Sequence, residues 1–116
     1  MPIVRVRKSN KYTNFSSLNN LAVILKHATA KALNVPGNPD GLLSASEVEV
    51  YFENFQANDM YSKNLAIIIE ADFLSERHKN LEARTKLIVE EAREWIPKGF
   101  TFFVWVRLAR GAYAEG

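Results

Sequence analysis

The sequence predicts a mixed α/β (α+β) fold in which two β-α-β units share one four-stranded sheet, with both helices on one face. Three observations predict it. Four short segments carry the apolar patterns of strands, and two longer segments repeat apolar residues at helical spacing. Their order along the chain is β-α-β followed by β-α-β, and the length of 116 residues suits one domain. We therefore expect a single domain over residues 1–116, with halves at about 1–55 and 64–110.

The first half of the sequence predicts a strand, a helix and a second strand. Residues 3–7 are a β-branched run that is typical of a strand. Residues 15–33 repeat apolar side chains at helical spacing, and the prolines and glycines of residues 34–41 end that helix. Residues 47–55 then alternate between apolar and polar side chains, which predicts a strand with one solvated face.

The second half repeats this order with more apolar strands. Residues 65–71 and 100–108 are apolar at successive positions, which predicts strands with apolar side chains on both faces. Between them we predict a helix over residues 76–95 with Ser75 as its N-cap. Its predicted apolar stripe consists of Leu81, Thr85, Ile88, Ala92 and Trp95.

The two predicted helices align with each other, Leu21 with Leu81 and Ala32 with Ala92. An internal repeat and the chance alignment of two amphipathic helices explain this equally well. The sheet itself is more informative, because helices on one face leave Ile68, Phe103 and Trp105 on the other. A monomer seldom exposes so large an apolar patch, so we expect an obligate homo-oligomer.

Composition excludes several classes of protein. The chain has no cysteine, which excludes disulfides, thiolate metal sites and cysteine nucleophiles. A net charge of +2 is too small to indicate a nucleic-acid partner. No apolar run is long enough to cross a membrane and no signal sequence is evident, so a cytoplasmic location is expected. Neither a phosphate-binding loop nor a metal-ligand pattern is present, and we expect no metal or cofactor.

Pro2 is a candidate catalytic residue. Once Met1 is removed, its nitrogen is a secondary amine at the start of the first strand. The unperturbed pKa of an α-amino group is about 7.7–8.0, close to neutrality. Desolvation or neighbouring arginines favour the neutral amine, which can then act as a general base.

Pro2-Ile3-Val4, together with the run from Phe102 to Val106 and the element order, resembles the tautomerase superfamily. That superfamily includes 5-carboxymethyl-2-hydroxymuconate isomerase, malonate semialdehyde decarboxylase and macrophage migration inhibitory factor. The resemblance covers the whole chain in element order, but only these short segments in residue identity. It implies a trimer whose sheets form a central barrel. It also implies that Pro2 moves a proton between the carbon and oxygen of a small enol or α-keto acid.

The resemblance further implies cationic side chains that bind the carboxylate of a small anionic substrate. The candidates are Arg77, Arg107 and Arg110, with Tyr113 from the C-terminal tail. A solvated surface position is the alternative interpretation of each. The clustered arginine pair of the family is not evident here, because acidic side chains precede Arg77.

Three functions stay open from the sequence. The first is a proline-dependent tautomerase or isomerase. The second is a non-catalytic trimeric protein of the same fold. The third is a ferredoxin-like ligand-binding module, which shares the β-α-β-β-α-β order.

Overall fold

The computed structural model describes residues 2–8, 18–54 and 64–110. Four strands and three helices occur in these ranges, in the order predicted from the sequence except that two helices stand in place of the second one. The strands are β1 (Ile3–Lys8), β2 (Glu49–Asn54), β3 (Leu65–Asp72) and β4 (Phe102–Ala109). The helices are α1 (Leu18–Leu33), α2 (Ser75–Lys79) and α3 (Leu81–Arg93). Two short 3₁₀ turns, Pro39–Gly41 and Ala45–Glu47, lie between α1 and β2.

The four strands form one sheet in the order β2-β1-β3-β4. β1 pairs parallel with β2, β3 pairs parallel with β4, and the central pair β1–β3 is antiparallel. Each β-α-β unit therefore has directly neighbouring strands. A ferredoxin-like module instead has a split β-α-β, in which another strand separates the two parallel ones, so the ferredoxin-like alternative is set aside.

One face of the sheet is covered by α1 and α3, as predicted. Val4 and Val6 of β1 alternate with outward-facing Arg5, and both valines are fully buried in the core. The same core contains alternate residues of β3 and apolar residues of both helices. Because the side-chain period of a strand is two, the intervening residues face away from the helices. The helix-side core consists chiefly of Val4, Val6, Leu21, Leu25, Leu33, Leu65, Ile67, Ile69, Ile88 and Ala92.

The prediction of one long helix over residues 76–95 is wrong in detail. The helical segment is divided at Asn80, whose backbone (φ −129°, ψ 35°) is not helical. Asn80 accepts a 2.6 Å hydrogen bond from Nε of Arg84 through its side-chain oxygen, and its carbonyl accepts the backbone N–H of Arg84 at 3.1 Å, so α3 begins after this residue. Ser75 is the first helical residue rather than the N-cap, and its hydroxyl donates to Glu76. Trp95 lies beyond α3 and is 40% exposed, so it does not belong to the buried stripe.

The sheet face that no described helix covers, here named the uncovered face, carries the predicted apolar patch. Ile68 pairs with Trp105 and Ala66 with Phe103 across β3 and β4, all on the side away from the helices. The Trp105 side chain is 61% exposed. On β1 and β2 the same face carries ion pairs. Oε1 of Glu53 lies 3.7 Å from Nε of Arg5, and Oε2 of Glu53 lies 3.5 Å from Nε of Arg7. The face therefore combines an apolar patch around Trp105 with an ionic cluster around Glu53.

Replacing Leu25 with alanine tests the helix-side core. Leu25 is fully buried on α1, so Leu25→Ala leaves a cavity and should lower the free energy of unfolding by about 2–5 kcal/mol. Urea denaturation at one fixed protein concentration measures it. The matched control is Val23→Ala on the same helix, where the side chain is 52% exposed and the expected change is within about 0.5 kcal/mol. Equal losses in the two variants would contradict the assigned core.

Candidate functional site at the Pro2 edge of the sheet

One edge of the sheet gathers three of the predicted site residues. Ile3 lies opposite Glu49 on one side and Glu70 on the other, and Glu70 lies opposite Arg107. The starts of β1 and β2 and the ends of β3 and β4 therefore meet at this edge. We call it the Pro2 edge. It includes Pro2, Arg107 and Arg110, which are far apart in the sequence.

Pro2 is buried and held by the first backbone hydrogen bond between β1 and β2. Its carbonyl oxygen accepts a bond of 3.1 Å from the backbone N–H of Glu49. Extending the strand register by one residue places Pro2 beside Ala71 of β3, which is also buried. Pro2 therefore lies between β2 and β3 just before β1, with its carbonyl bonded to the first residue of β2.

Arg107 and Pro2 lie on opposite faces of the sheet. Pro2 shares the alternation of buried Val4, which faces the helices. Arg107 shares the alternation of Trp105 and is exposed on the uncovered face. A single chain therefore brings the two residues to the same edge without directing both side chains into one pocket.

Arg110 lies just beyond β4 and packs on an aromatic ring. Its guanidinium carbon is 4.2 Å from the ring centroid of Phe73, a cation–π contact. The Phe73 ring in turn lies 5.6 Å from the ring of His78, tilted by 41°. The backbone N–H of Phe73 donates to the carbonyl of Ala109, which ties the end of β3 to the end of β4. Sequence reasoning missed Phe73, because a single aromatic residue after a strand carries no pattern.

Arg77 is buried and bound to the protein's own backbone. Its side chain donates to three backbone carbonyls. Nε donates to that of Leu33 at 2.7 Å, Nη1 to that of Asp72 at 3.0 Å and Nη2 to that of Gly41 at 3.4 Å. The residue is 2% exposed. Burial lowers the pKa of the Arg77 guanidinium, although arginine stays charged in proteins. These three bonds join the end of α1, the turn before β2 and the end of β3, so we assign Arg77 a structural role outside the proposed site.

A second arginine that the sequence did not single out completes this arrangement. Nη1 of Arg84 donates to the carbonyls of Ala32 and Asn34 at 2.8 and 3.0 Å. The last carbonyls of a helix have no partner within it, and the helix dipole favours cations there. Arg77 and Arg84 therefore cap the C-terminus of α1. Arginines on α2 and α3 that serve this purpose look the same in sequence as arginines that bind a substrate.

Acidic side chains also lie near the Pro2 edge. Glu49 and Glu70 flank Ile3 on the uncovered face, and Tyr51 donates a 2.7 Å hydrogen bond to Glu49. That bond and the charge of Glu49 raise the pKa of the Tyr51 hydroxyl. Glu76 is held away from the edge, since it accepts from Ser75 and from Asn38. Those two hydrogen bonds lower the pKa of Glu76.

Tyr113 falls outside the described residues and stays a prediction. Among the residues that the structure describes, no group of three or more His, Asp and Glu side chains is arranged to hold a metal ion. Within the same ranges, no helix has the length and apolar character that a membrane span requires.

Comparison with solved structures identifies the architecture. A 5-carboxymethyl-2-hydroxymuconate delta-isomerase superposes with a TM-score of 0.61 at 10% identity, covering 100% of this chain and 86% of its own. The chain has the tautomerase-superfamily fold. A malonate semialdehyde decarboxylase inhibited by 3-bromopropiolate gives a TM-score of 0.55 at 12% identity, covering 98% of this chain and 90% of its own. A fused 4-OT solved as a symmetric trimer gives 0.52 at 14% identity, covering 93% and 85%.

These tautomerase-fold neighbours share architecture with this chain at low identity. No protein-family model matches the sequence, and a search of curated proteins found no match. Since a fold hosts more than one chemistry, the residues of the site must carry any functional argument. The tautomerase fold, which Pro2-Ile3-Val4 and the element order predicted by resemblance, is nevertheless confirmed.

The structural role of Arg77 has a direct test. Arg77→Gln leaves buried carbonyls of three segments without a charged donor, and we expect it to lower the free energy of unfolding by about 2 kcal/mol or more. Urea denaturation measures the change, with Lys79→Gln as the control because Lys79 is exposed on the same helix. A variant as stable as the wild type would contradict this assignment.

Proposed function

We propose that the protein is a cofactor-independent tautomerase or isomerase in which the nitrogen of Pro2 is the general base. The substrate would be a small enol or α-keto acid, and its carboxylate group makes it an anion. The position of Pro2 carries this proposal. It is buried at the start of β1, at the edge that also gathers two arginines, within the tautomerase fold. The isomerase and the decarboxylase among the structural neighbours support the same class of chemistry.

The reaction requires a neutral amine. Met1 must be removed, because a proline nitrogen within a peptide bond has no basic lone pair. Burial disfavours the charged form of an amine, which supports a neutral Pro2 nitrogen near pH 7. That nitrogen accepts the hydroxyl proton of the enol and returns a proton to carbon. The C=C electron pair forms the new C–H bond while the C–O bond becomes C=O, so no oxidant or reductant is needed.

The arginines would supply the charge that this step requires. Negative charge develops on the enolate oxygen, and a guanidinium also pairs well with a carboxylate. Arg110 is the best placed within one chain, since it is exposed and positioned by Phe73 at the Pro2 edge. Arg107 lies on the uncovered face, from which it would meet a substrate only where chains assemble. Tyr113 remains a candidate for the same pocket.

Blocking the Pro2 nitrogen tests the general base. Pro2→Ala, and a variant whose N-terminal extension keeps that nitrogen in an amide, should each lose about 10²-fold or more in kcat/KM for ketonisation of phenylpyruvate or 2-hydroxymuconate. Wild-type kcat/KM should fall as the pH drops through the apparent pKa of the amine, because the protonated form accepts no proton. Val23→Ala, on the exposed side of α1, should retain activity.

The mature N-terminus decides between this function and the non-catalytic alternative. Mass spectrometry of the purified protein should show that Met1 is absent. A protein that retains Met1, or a blocked variant with wild-type activity, would reject the proline mechanism and favour a non-catalytic protein of this fold.

The proposed assembly is a homotrimer that covers the uncovered face. Size-exclusion chromatography with light scattering at micromolar concentration should give three times the chain mass of 13.2 kDa. Burial of the patch around the 61% exposed Trp105 is the physical reason. A monomer at that concentration would contradict the assembly.

A further inference from the structure

Arg110 differs from the two arginines that cap α1 in what its guanidinium contacts. Arg77 and Arg84 donate to backbone carbonyls, so their N–H groups are occupied within the fold. Among the described residues, Arg110 forms no hydrogen bond or ion pair, and its guanidinium carbon lies 4.2 Å from the ring centroid of Phe73. A cation–π contact engages no oxygen acceptor. The N–H donors of Arg110 are therefore available to a carboxylate.

The order of the strands places the Phe73 ring between Arg110 and Pro2. Pro2 precedes β1, Phe73 follows β3 and Arg110 follows β4. In the sheet, β3 lies between β1 and β4. The Arg110 guanidinium lies over a ring that belongs to the β3 side, so its side chain extends from β4 toward the strand that Pro2 begins. Without the ring, an exposed arginine after an outer strand could equally extend away from the sheet into solvent.

Phe73 and Arg110 also lie on the helix side of the sheet. Ala71 and Leu108 are paired in the register and pack with the helix-side core, and the two residues of interest come two positions after them. The backbone N–H of Phe73 donates to the carbonyl of Ala109 at 2.9 Å, which continues the parallel ladder beyond its last pair. Because the side-chain period of a strand is two, both side chains share the face of the proposed base.

The Phe73 ring is itself held by α2. The ring of His78 lies 5.6 Å from it, centroid to centroid, with a tilt of 41°, a separation within the range of aromatic pairs. The backbone N–H of His78 donates to the carbonyl of Leu74 at 3.0 Å, which fixes the start of this helix next to Phe73. The ring is partly buried, whereas Arg110 is exposed. A fixed ring therefore supports a cation that solutes can reach.

We propose that Phe73 is a positioning residue, whose ring holds the guanidinium of Arg110 toward Pro2 so that it binds the carboxylate of the substrate. The inference rests on the proposed function and assigns Arg110 to the carboxylate rather than to the enolate oxygen. The carboxylate carries the same charge before and during the proton transfer, so Arg110 binds the ground state and the transition state alike. Loss of such uniform binding raises KM and leaves kcat unchanged.

Removing the ring tests the positioning role. Phe73→Leu keeps an apolar side chain without a ring, and we expect the KM for ketonisation of phenylpyruvate to rise about threefold, with kcat unchanged. Phe73→Tyr keeps the ring and should retain the wild-type KM. Arg110→Gln should raise KM about tenfold, because it removes charge-assisted hydrogen bonds. Phe73→Met takes the place of Phe73→Leu if that variant does not fold by urea denaturation.

A double variant separates positioning from direct contact with the substrate. If Phe73 acts only through Arg110, Phe73→Leu should raise KM no further once Arg110→Gln is present. The methyl ester of phenylpyruvate lacks the carboxylate charge, so its KM should not respond to either change. The charge control is Arg93→Gln, since Arg93 is exposed beside the first residue of β4, at the other end of that strand. An equal rise in KM with and without Arg110 would overturn the positioning role.

A binding measurement separates this inference from the proposed catalysis. 3-Phenylpropionate has the carboxylate but no keto group, so it binds without reacting. Its Kd in titration calorimetry should rise about threefold in Phe73→Leu and about tenfold in Arg110→Gln. A wild type that is inactive but shows this binding pattern would reject the proline mechanism and retain the role of Phe73. An active wild type whose two variants keep its KM and Kd, or a wild type that does not bind 3-phenylpropionate, would overturn the inference.

Discussion

The antiparallel pairing of β1 with β3 is the contact on which the rest of the structure depends. It joins the two β-α-β halves through the register that places Val4 opposite Ile69 and Val6 opposite Ile67, all four fully buried. A shift of this register by one residue would turn the valines to the uncovered face. Because the two halves run in opposite directions at this pair, the start of β1 lies beside the end of β3. That is why Pro2 and the end of β4 share one edge.

The same pairing determines which strands lie at the edges of the sheet. With β1 and β3 at the centre of the described sheet, β2 and β4 become its edges, and no described helix covers one of its faces. The uncovered face combines the apolar patch around Trp105 with the ionic cluster around Glu53, and its end near Pro2 carries Glu70 and Arg107. The proposed assembly and the proposed site therefore both depend on this topology.

Arg77 and Arg84 illustrate how charge serves structure near a candidate site. A helix that ends inside the protein has carbonyl groups that water cannot reach, and these two side chains provide donors to them. The buried cation Arg77 also joins the turn before β2 to the end of β3, one residue beyond Ala71, the register neighbour of Pro2. The backbone around the proposed base is thus held by side chains that do not contact the substrate in the mechanism proposed here.

The sequence by itself determined the order of the elements, the helix-facing residues of the strands, the uncovered patch and the resemblance carried by Pro2-Ile3-Val4, because these follow from local periodicity and from residues adjacent in the chain. It did not determine the break at Asn80 or the partners of Arg77, since an arginine that binds three distant carbonyls has the same local pattern as one that binds a ligand. Strand order was likewise decided only by the tertiary structure. The β-α-β-β-α-β order permits a split and an unsplit arrangement, and the pairing of each outer strand with the other strand of its own unit, β2 with β1 and β4 with β3, gives the unsplit one.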